Sequence, residues 1–118
     1  MQVGTMSARV ISLLDLDVKT DQPIFLGQSN VEHMIRRHRT DYEKYGQHIP
    51  LILAQPDYVG KSADDGSIEY VKEFQVDGNF VKVAVRVSAS NTLYARTVYV
   101  LNANRVRNFI QKGTLKKV

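Results

Sequence analysis

Residues 68–87 have the sequence IEYVKEFQVDGNFVKVAVRV, in which apolar and polar side chains alternate on both sides of Asp77-Gly78. Such alternation is typical of half-buried strands, and an Asp-Gly pair between two of them favours a two-residue hairpin turn. A tight turn at this pair places Phe74 opposite Val81. That register gathers nearly every large apolar side chain of both strands on one face, so we predict a β-hairpin with one buried face.

The next strand has a side-chain pattern that depends on the length of the loop before it. We predict a three-residue loop at 89–91 and a strand from Thr92 to Leu101. The apolar face of this strand then carries Leu93, Ala95, Tyr99 and Leu101. A four-residue loop at 89–92 would exchange the two faces of the strand, so that Thr97 and Tyr99 would face outward instead.

Two helices are predicted before the hairpin. Ser29 or Asn30 is suited to cap a helix that runs to about His38, because a short polar side chain accepts a hydrogen bond from the first helical turn. A proline in the first turn favours a second helix over Leu51–Ala54. The segment 56–60 contains turn-forming residues and predicts a turn.

A last helix is predicted over Ala103–Lys112, where apolar residues recur at helical spacing and Gly113 follows as a stop. The order of elements predicts an α+β domain. In it, N-terminal helices pack on one face of an antiparallel meander of about four strands, followed by a C-terminal helix and a basic tail. We assign 23–118 to a single domain and treat 1–22 as a lead-in that either belongs to it or docks a partner.

Composition excludes several classes of protein. Hydrophobic residues make up 43% of the 118 residues and charged residues 24%, which is ordinary usage for a globular domain. The absence of cysteine excludes disulfides and thiolate metal sites. No apolar run is long enough to span a membrane, so we expect a cytoplasmic protein.

Charge is distributed unevenly along the chain. Of the net charge of +4, residues 1–59 contribute −1 and residues 60–118 contribute +5, and no acidic side chain follows Asp77. A long basic stretch without acidic residues is typical of chains that bind a polyanion. A basic composition also serves solubility alone, and composition does not choose between the two.

The outer face of the predicted sheet carries mostly polar side chains. They are Glu69, Glu73, Lys82, Arg86, Ser88, Thr92, Tyr94 and Arg96. The predicted register pairs Glu73 with Lys82 and Glu69 with Arg86 across the strands. One interpretation is a solvated face with ordinary ion pairs. The other is a binding surface on which Arg86 and Arg96 clamp a phosphate, because the planar guanidinium binds phosphate oxygens in a bidentate manner.

Two of the three histidines lie in the predicted helix VEHMIRRH, residues 31–38. At about 3.6 residues per turn, His38 lies on the apolar face, whereas His33 lies on the charged face with Arg36 and Arg37. The spacing of the two histidines does not match the i, i+4 pattern of a helical zinc site, and no third ligand is evident. We therefore predict no metal site.

Several segments, taken in order, resemble one family. They are VEHMIRRH (31–38), ILAQPDYVGK (52–61), GSIEYVKEF (66–74), VAVRVSASNTLYARTVY (83–99) and KGTLKKV (112–118). The succession resembles the phage-associated barnase–EndoU–colicin–RelE-like nuclease domains, a group of small ribonucleases, over about Ile24 to Val118. The lead-in before Ile24 matches no pattern of that family.

The resemblance implies an α+β fold, metal-independent cleavage of RNA and no cofactor. It also implies occurrence in phages, mobile elements or toxin systems, and therefore association with a phage particle or delivery to a target cell. The family's helix histidines correspond to His33 and His38. Its Arg-Ser and Arg-Thr strand positions correspond to Arg86, Ser88, Arg96 and Thr97.

The leading hypothesis is an endoribonuclease that uses the 2′-hydroxyl of RNA as an internal nucleophile. This chemistry needs a base, an acid and cations around the phosphate. We assign Arg86 and Arg96 to the phosphate, and His33 or His38 to proton transfer. Orienting and supporting roles fall to Ser88, Tyr94, Thr97 and Glu69. Further contacts with RNA are assigned to Lys61, Lys82, Lys116 and Lys117.

The expected partners are RNA, such as tRNA or mRNA, and a cognate antitoxin or immunity protein, without a membrane partner. The alternative is a catalytically inactive nuclease-like module that binds nucleic acid or a phage structural protein. The same basic surface supports this alternative, because the sequence contains no unambiguous pair of catalytic acid and base.

Overall fold

Seven strands form one sheet in the computed structural model, which describes residues 1–118. The elements in chain order are β1 (Gln2–Thr5), α1 (Ala8–Leu14), β2 (Pro23–Phe25), α2 (Gln28–Tyr45), a 3₁₀ turn (Gly46–His48), α3 (Ile49–Ala54), β3 (Tyr58–Lys61), β4 (Ile68–Phe74), β5 (Asn79–Val87), β6 (Leu93–Leu101), α4 (Ala103–Lys112) and β7 (Leu115–Lys117). The strand order is β1-β2-β6-β5-β4-β3-β7. Every neighbouring pair is antiparallel except β2 and β6.

The β4–β5 hairpin is formed as predicted, but its turn is longer. Phe74 pairs with Asn79 rather than with Val81, so four residues, 75–78, form the turn. The N–H of Gly78 donates to the carbonyl of Phe74 at 2.8 Å, and the positive φ of 71° at this position favours glycine. The predicted register is therefore wrong by two residues. Because side chains alternate with a period of two, the faces are nevertheless as predicted.

One face of the sheet packs against α1, α2 and α3. The central strands contribute valines to this core, including Val81, Val83 and Val85, each without measurable solvent exposure. The lead-in takes part in the same core, because β1 pairs with β2 and the side chains of Met6 and Val10 are buried there. Burial of this apolar surface is the main force that holds the helices on the sheet.

Helix α2 differs from the predicted helix at both ends. It begins at Gln28 with Gly27 as its N-cap, and the side chain of Asn30 accepts a hydrogen bond from the N–H of Gly27 at 2.9 Å. It continues to Tyr45 instead of ending near His38. His38 itself has non-helical angles (φ −141°, ψ 50°), so the predicted end of the helix corresponds to a kink.

Strand β6 contains a bulge at Arg96, where the pairing with β5 shifts by one residue between Ala95 and Thr97. The predicted three-residue loop before β6 is present, and Ala95 faces the core. After the bulge the alternation is reversed, so Thr97 and Tyr99 face away from the main core. The prediction that Tyr99 and Leu101 lie on the core face is wrong, because the bulge inserts one extra residue.

The sheet has seven strands rather than about four because short strands extend both of its edges. The segment 56–60, predicted as a turn, contains most of β3, and the chain returns along it as β7. Gly60 allows these two strands to approach closely, since a Cβ there would collide with the carbonyl oxygen of Thr114. On the other edge, β2 and β1 are added next to β6.

Helix α4 has the predicted limits, with Gly113 in the left-handed conformation at its C-terminus. It does not share the face of the other helices. It packs on the opposite face of the sheet, where Val71, Leu101, Val106 and Leu115 form a second, smaller buried cluster. Because α4 covers only one end of this face, the remaining polar surface of β4, β5 and β6 stays accessible.

Candidate active site

The face of the sheet opposite the main core carries two depressions that meet at Arg96. The first, which we call the Arg86 hollow, has a volume of about 380 Å³. The second, which we call the Lys82 cleft, has a volume of about 520 Å³ and extends toward α4. Arg96 is the only residue that lines both, so a ligand bound to its guanidinium can extend into either depression.

The Arg86 hollow is formed where the start of α2 meets the ends of β5 and β6. Its lining residues are Gly27, Ser29, Asn30, Arg86, Ser88, Tyr94 and Arg96. The start of α2 reaches this point because β2 pairs in parallel with the first residues of β6. The first amide groups of a helix carry partial positive charge and lack partners within the helix. Together with two guanidinium groups, they form a site suited to a phosphate.

The loop after β5 fixes one wall of this hollow. The hydroxyl of Ser88 accepts a hydrogen bond from the N–H of Thr92 at 3.2 Å, which orients the Ser88 side chain. Asp65 lines the Lys82 cleft. The N–H of Ser67 donates to the Asp65 carboxylate and holds the pKa of Asp65 below its usual value, and the charge of Arg86 acts in the same direction. An anionic Asp65 therefore stands near Arg86 at neutral pH.

His33 lies on α2 near the hollow, because α2 runs along the edge of β6 that β2 leaves uncovered. The carboxylate of Asp41, on the same helix, accepts a hydrogen bond from the N–H of Val100 on that edge at 3.1 Å. Partial burial lowers the pKa of His33, and the positive charge of Arg96 lowers it further. Neighbouring cationic side chains on α2 act in the same direction. At neutral pH His33 is therefore a neutral imidazole that can accept a proton.

His38 packs against a residue that lines the Lys82 cleft. Its ring stacks on the ring of Tyr99, with the centroids 4.8 Å apart and the planes at 20°. The ammonium of Lys82 lies 4.8 Å from the centroid of the same tyrosine ring. The kink at His38 and the bulge in β6 thus bring His38, Tyr99 and Lys82 together, although the sequence places them on three separate elements.

Lys82 forms an ion pair with Glu69, with Nζ and Oε2 2.6 Å apart. The side chains are only 14% and 22% exposed, respectively, so the pair is largely shielded from water. Burial alone would lower the pKa of Lys82, but the interactions with Glu69 and Tyr99 outweigh it and raise the pKa. The predicted pairs Glu73–Lys82 and Glu69–Arg86 are wrong, because the longer turn shifts β4 by two residues against β5.

The Lys82 cleft has polar and apolar walls. The ion pair and Thr97 lie on the sheet, the loop 61–67 forms one side, and α4 contributes Arg105 and Phe109. The hydroxyl of Thr97 is fully buried and has no hydrogen-bond partner. A buried hydroxyl without a partner is unfavourable for the stability of the fold.

The structure brings most of the proposed site residues to this face. Five of them surround the Arg86 hollow or adjoin it: His33, Arg86, Ser88, Tyr94 and Arg96. Four line the Lys82 cleft: Lys61, Glu69, Lys82 and Thr97.

The two lysines of the tail line neither depression. The ammonium of Lys116 donates to the carbonyl of Leu13 at 3.0 Å, beyond the edge of the sheet. Lys117 lies on the outer strand β7 and lines neither depression.

Three features of the site differ from the main prediction from the sequence, which turned Tyr99 outward only in the case of a four-residue loop. The start of α2, Arg105 and Tyr99 all line the depressions. Arg105 belongs to the basic stretch without acidic residues, which was a usable signal. The other two depend on the parallel pairing of β2 and on the bulge, for which the sequence gives no local signal.

Two further findings concern metals and membranes. No three side chains of the histidine, aspartate or glutamate type lie close enough together to hold a metal ion. None of the helices combines the length and the apolar character needed to cross a membrane.

The chain folds into a small α+β domain whose polar sheet face carries Lys82, Arg86 and Arg96. The sequence profile of one family, described as phage-Barnase-EndoU-ColicinE5/D-RelE like nuclease3, matches residues 1–108, and the chain belongs to this family. The family resemblance is thereby confirmed, but its limits differ from those expected. The match begins at residue 1 and so includes the lead-in, and it ends at residue 108, before the segment 112–118. The family name indicates a nuclease of this type in phage. No curated protein and no solved structure matches the chain.

Proposed function

We propose that this protein is a metal-independent endoribonuclease that cleaves RNA through attack of the 2′-hydroxyl on the adjacent phosphate. The observation that carries the proposal is the convergence of Arg86, Arg96 and the start of α2 on one hollow beside His33. The hollow supplies positive charge for a phosphate, and the histidine supplies a base. Family membership supports nuclease activity in general.

In the proposed reaction His33 takes the proton from the 2′-hydroxyl. The 2′-oxygen then forms a bond to phosphorus, and the bond from phosphorus to the 5′-oxygen breaks. Arg86 and Arg96 stabilise the extra negative charge of the pentacoordinate phosphate. The leaving 5′-oxygen takes a proton from Tyr94, because a phenol releases a proton far more readily than the aliphatic hydroxyl of Ser88. The products are a 2′,3′-cyclic phosphate and a free 5′-hydroxyl.

Two guanidinium groups and a helix N-terminus supply the positive charge that other nucleases obtain from a metal ion. We therefore propose that the reaction proceeds without one. A tRNA or mRNA is the proposed substrate. An antitoxin or immunity protein that covers the Arg86 hollow is the proposed regulator in a phage or toxin setting.

The test uses purified protein and end-labelled RNA in excess chelator. We expect cleavage to fragments that end in a 2′,3′-cyclic phosphate, and no cleavage where the nucleotide 5′ to the bond carries 2′-deoxyribose. Arg86→Ala should lower kcat much more than it raises KM, because the arginine acts mainly on the transition state. Arg107→Ala is the matched control, since Arg107 is exposed on α4, donates a hydrogen bond to Asn104 and lines neither depression. Cleavage only after addition of magnesium would refute the proposal.

We propose an inactive binding module as the second candidate, because the same basic surface would bind nucleic acid without catalysis. It predicts that Arg86→Ala weakens RNA binding while neither the natural protein nor the variant cleaves RNA. The two outcomes are distinguished in one experiment that measures binding and product formation side by side.

A further inference from the structure

We propose that RNA crosses the site with a fixed polarity: the strand 5′ to the scissile phosphate runs along α2 over Arg36 and Arg37, and the strand 3′ to it leaves past Tyr94. This inference rests on the proposed ribonuclease function, because that reaction assigns the two sides of the phosphate to different residues. It deepens that function by naming the substrate as a strand that extends at least two nucleotides on the 5′ side of the cleaved bond.

Helix α2 and strand β6 run side by side in the same direction. Phe25, the last residue of β2, pairs with Tyr94 near the start of β6, and α2 begins three residues after Phe25. Further along, the carboxylate of Asp41 accepts a hydrogen bond from the N–H of Val100. The start of α2 therefore lies beside the start of β6, and each later turn of the helix lies further from Tyr94.

Two cations of α2 continue this line beyond His33. Arg36 and Arg37 follow His33 by three and four residues, so they lie about 5.4 Å further along the helix and on a neighbouring part of its surface. The positive charge of both arginines contributes to the lowered pKa of His33, in agreement with this proximity. The order along α2 and β6 is therefore Tyr94, the Arg86 hollow with His33, and then the two arginines.

These two arginines are free to bind a ligand. Arg36 and Arg37 are exposed, and neither forms an ion pair within the protein. The next two cations of the same helix, Arg39 and Lys44, each pair with a carboxylate, at 3.0 and 3.6 Å. A free guanidinium can bind phosphate oxygens without first breaking an internal contact. The part of α2 nearest the hollow therefore offers unpaired positive charge to a polyanion.

The chemistry of the reaction fixes the direction of the strand. The attacking 2′-hydroxyl belongs to the nucleotide 5′ to the phosphate, and the leaving 5′-oxygen belongs to the nucleotide 3′ to it. Because His33 takes the proton of the first and Tyr94 protonates the second, the 5′ nucleotide lies toward α2. The phosphates upstream of it then lie over Arg36 and Arg37. The opposite polarity would place the 2′-hydroxyl beside Tyr94, away from the base.

The experiment measures the binding of short 2′-O-methyl oligouridylates, which cannot be cleaved, with a phosphate at one end. In a 3′-phosphorylated oligomer every nucleotide lies 5′ to the terminal phosphate, and in a 5′-phosphorylated oligomer every nucleotide lies 3′ to it. The affinity of the 3′-phosphorylated oligomers should rise about threefold with each of the first two added nucleotides. Arg36→Gln combined with Arg37→Gln should remove this gain and reduce the log–log salt slope by about 1.4. The same variant should bind 5′-phosphorylated oligomers as tightly as the natural protein does.

Two controls locate the effect on the helix. Arg39→Gln combined with Lys44→Gln removes the same charge from α2 and should leave every affinity unchanged, because both side chains are already paired. Arg86→Ala should weaken oligomers of both kinds, because it removes the anchor of the terminal phosphate. Urea unfolding of the variant at 36 and 37 should give the midpoint of the natural protein, since both side chains are exposed.

An equal loss of affinity for the two kinds of oligomer would refute a fixed polarity. Unchanged affinity for both would refute a role of these arginines in RNA binding and would favour an acidic protein as their partner. If no RNA is cleaved but only the 3′-phosphorylated oligomers depend on the arginines, the proposed reaction fails while the path along α2 stands. If RNA is cleaved and this dependence is absent, the reaction stands and the path fails.

Discussion

Replacing Thr97 with valine should make the protein more stable. The Thr97 hydroxyl is buried without a hydrogen-bond partner, a situation that costs about 1–3 kcal/mol. Valine has nearly the same shape and is also β-branched, so the strand and the packing around it are preserved. Since the replacement removes the unpaired group and leaves the cleft otherwise unchanged, we expect the free energy of unfolding to rise by about 1 kcal/mol. In a domain of this size that corresponds to about 4 °C in Tm.

The assay is urea unfolding of both proteins, monitored by circular dichroism. Equal slopes m for the two proteins would show that both unfold in the same two-state transition. Thr92→Val is the control. Its hydroxyl lies 3.2 Å from the hydroxyl of Ser90, so its removal should give no gain. A loss of stability in Thr97→Val would refute the reasoning, because it would mean that the Thr97 hydroxyl is hydrogen-bonded in solution.

Three further predictions concern the same face and its support. The lowered pKa of His33 predicts that kcat/KM falls on the acid side with a midpoint below pH 6.5. Arg36→Gln combined with Arg37→Gln should move this midpoint to higher pH in a pH–rate profile. An unchanged midpoint would argue against His33 as the base. Lys82→Met should destabilise the protein by about 2–3 kcal/mol, because it leaves the shielded Glu69 carboxylate unpaired. Because the pKa of Lys82 is raised in the folded state, its stabilising effect is present below about pH 10.5 and is lost as the pH rises through the pKa of the folded state. In urea unfolding, the free energies of unfolding of the natural protein and of Lys82→Met should therefore converge only at that high pH. Gly60→Ala should cost about 1–3 kcal/mol in the same assay, because the new methyl group pushes β7 away from β3, and an unchanged midpoint would contradict that close approach.

The faces of the central strands could be predicted from the sequence because alternation is a local property. The predicted faces are correct although the predicted register is not. The turn of the β4–β5 hairpin is two residues longer than expected, but Glu69, Lys82 and Arg86 lie on the predicted face. A shift of two residues preserves the face and changes only the partners across the strands. The ion pair of Lys82 was therefore assigned to the wrong glutamate.

The bulge at Arg96 had the opposite effect. A single extra residue reverses the alternation, and it moved Tyr99 from the predicted core face to the Lys82 cleft. No sequence pattern at this position distinguishes a bulge from a regular strand, because the bulge is a property of the pairing between β5 and β6. The contact of Tyr99 with His38 follows from it and could not be predicted.

The family, the α+β class, the basic second half of the chain and the polar face with its two arginines could all be predicted from the sequence, since residue type and local periodicity carry them. Two other features depend on how the elements pack: α2 runs along the edge of β6 and brings His33 to Arg96, and α4 crosses to the polar face and bounds the Lys82 cleft. It also placed Lys116 against the carbonyl of Leu13, away from the site. Contacts of this kind join residues far apart in the chain, and their energies depend on how whole elements pack, which no local pattern encodes.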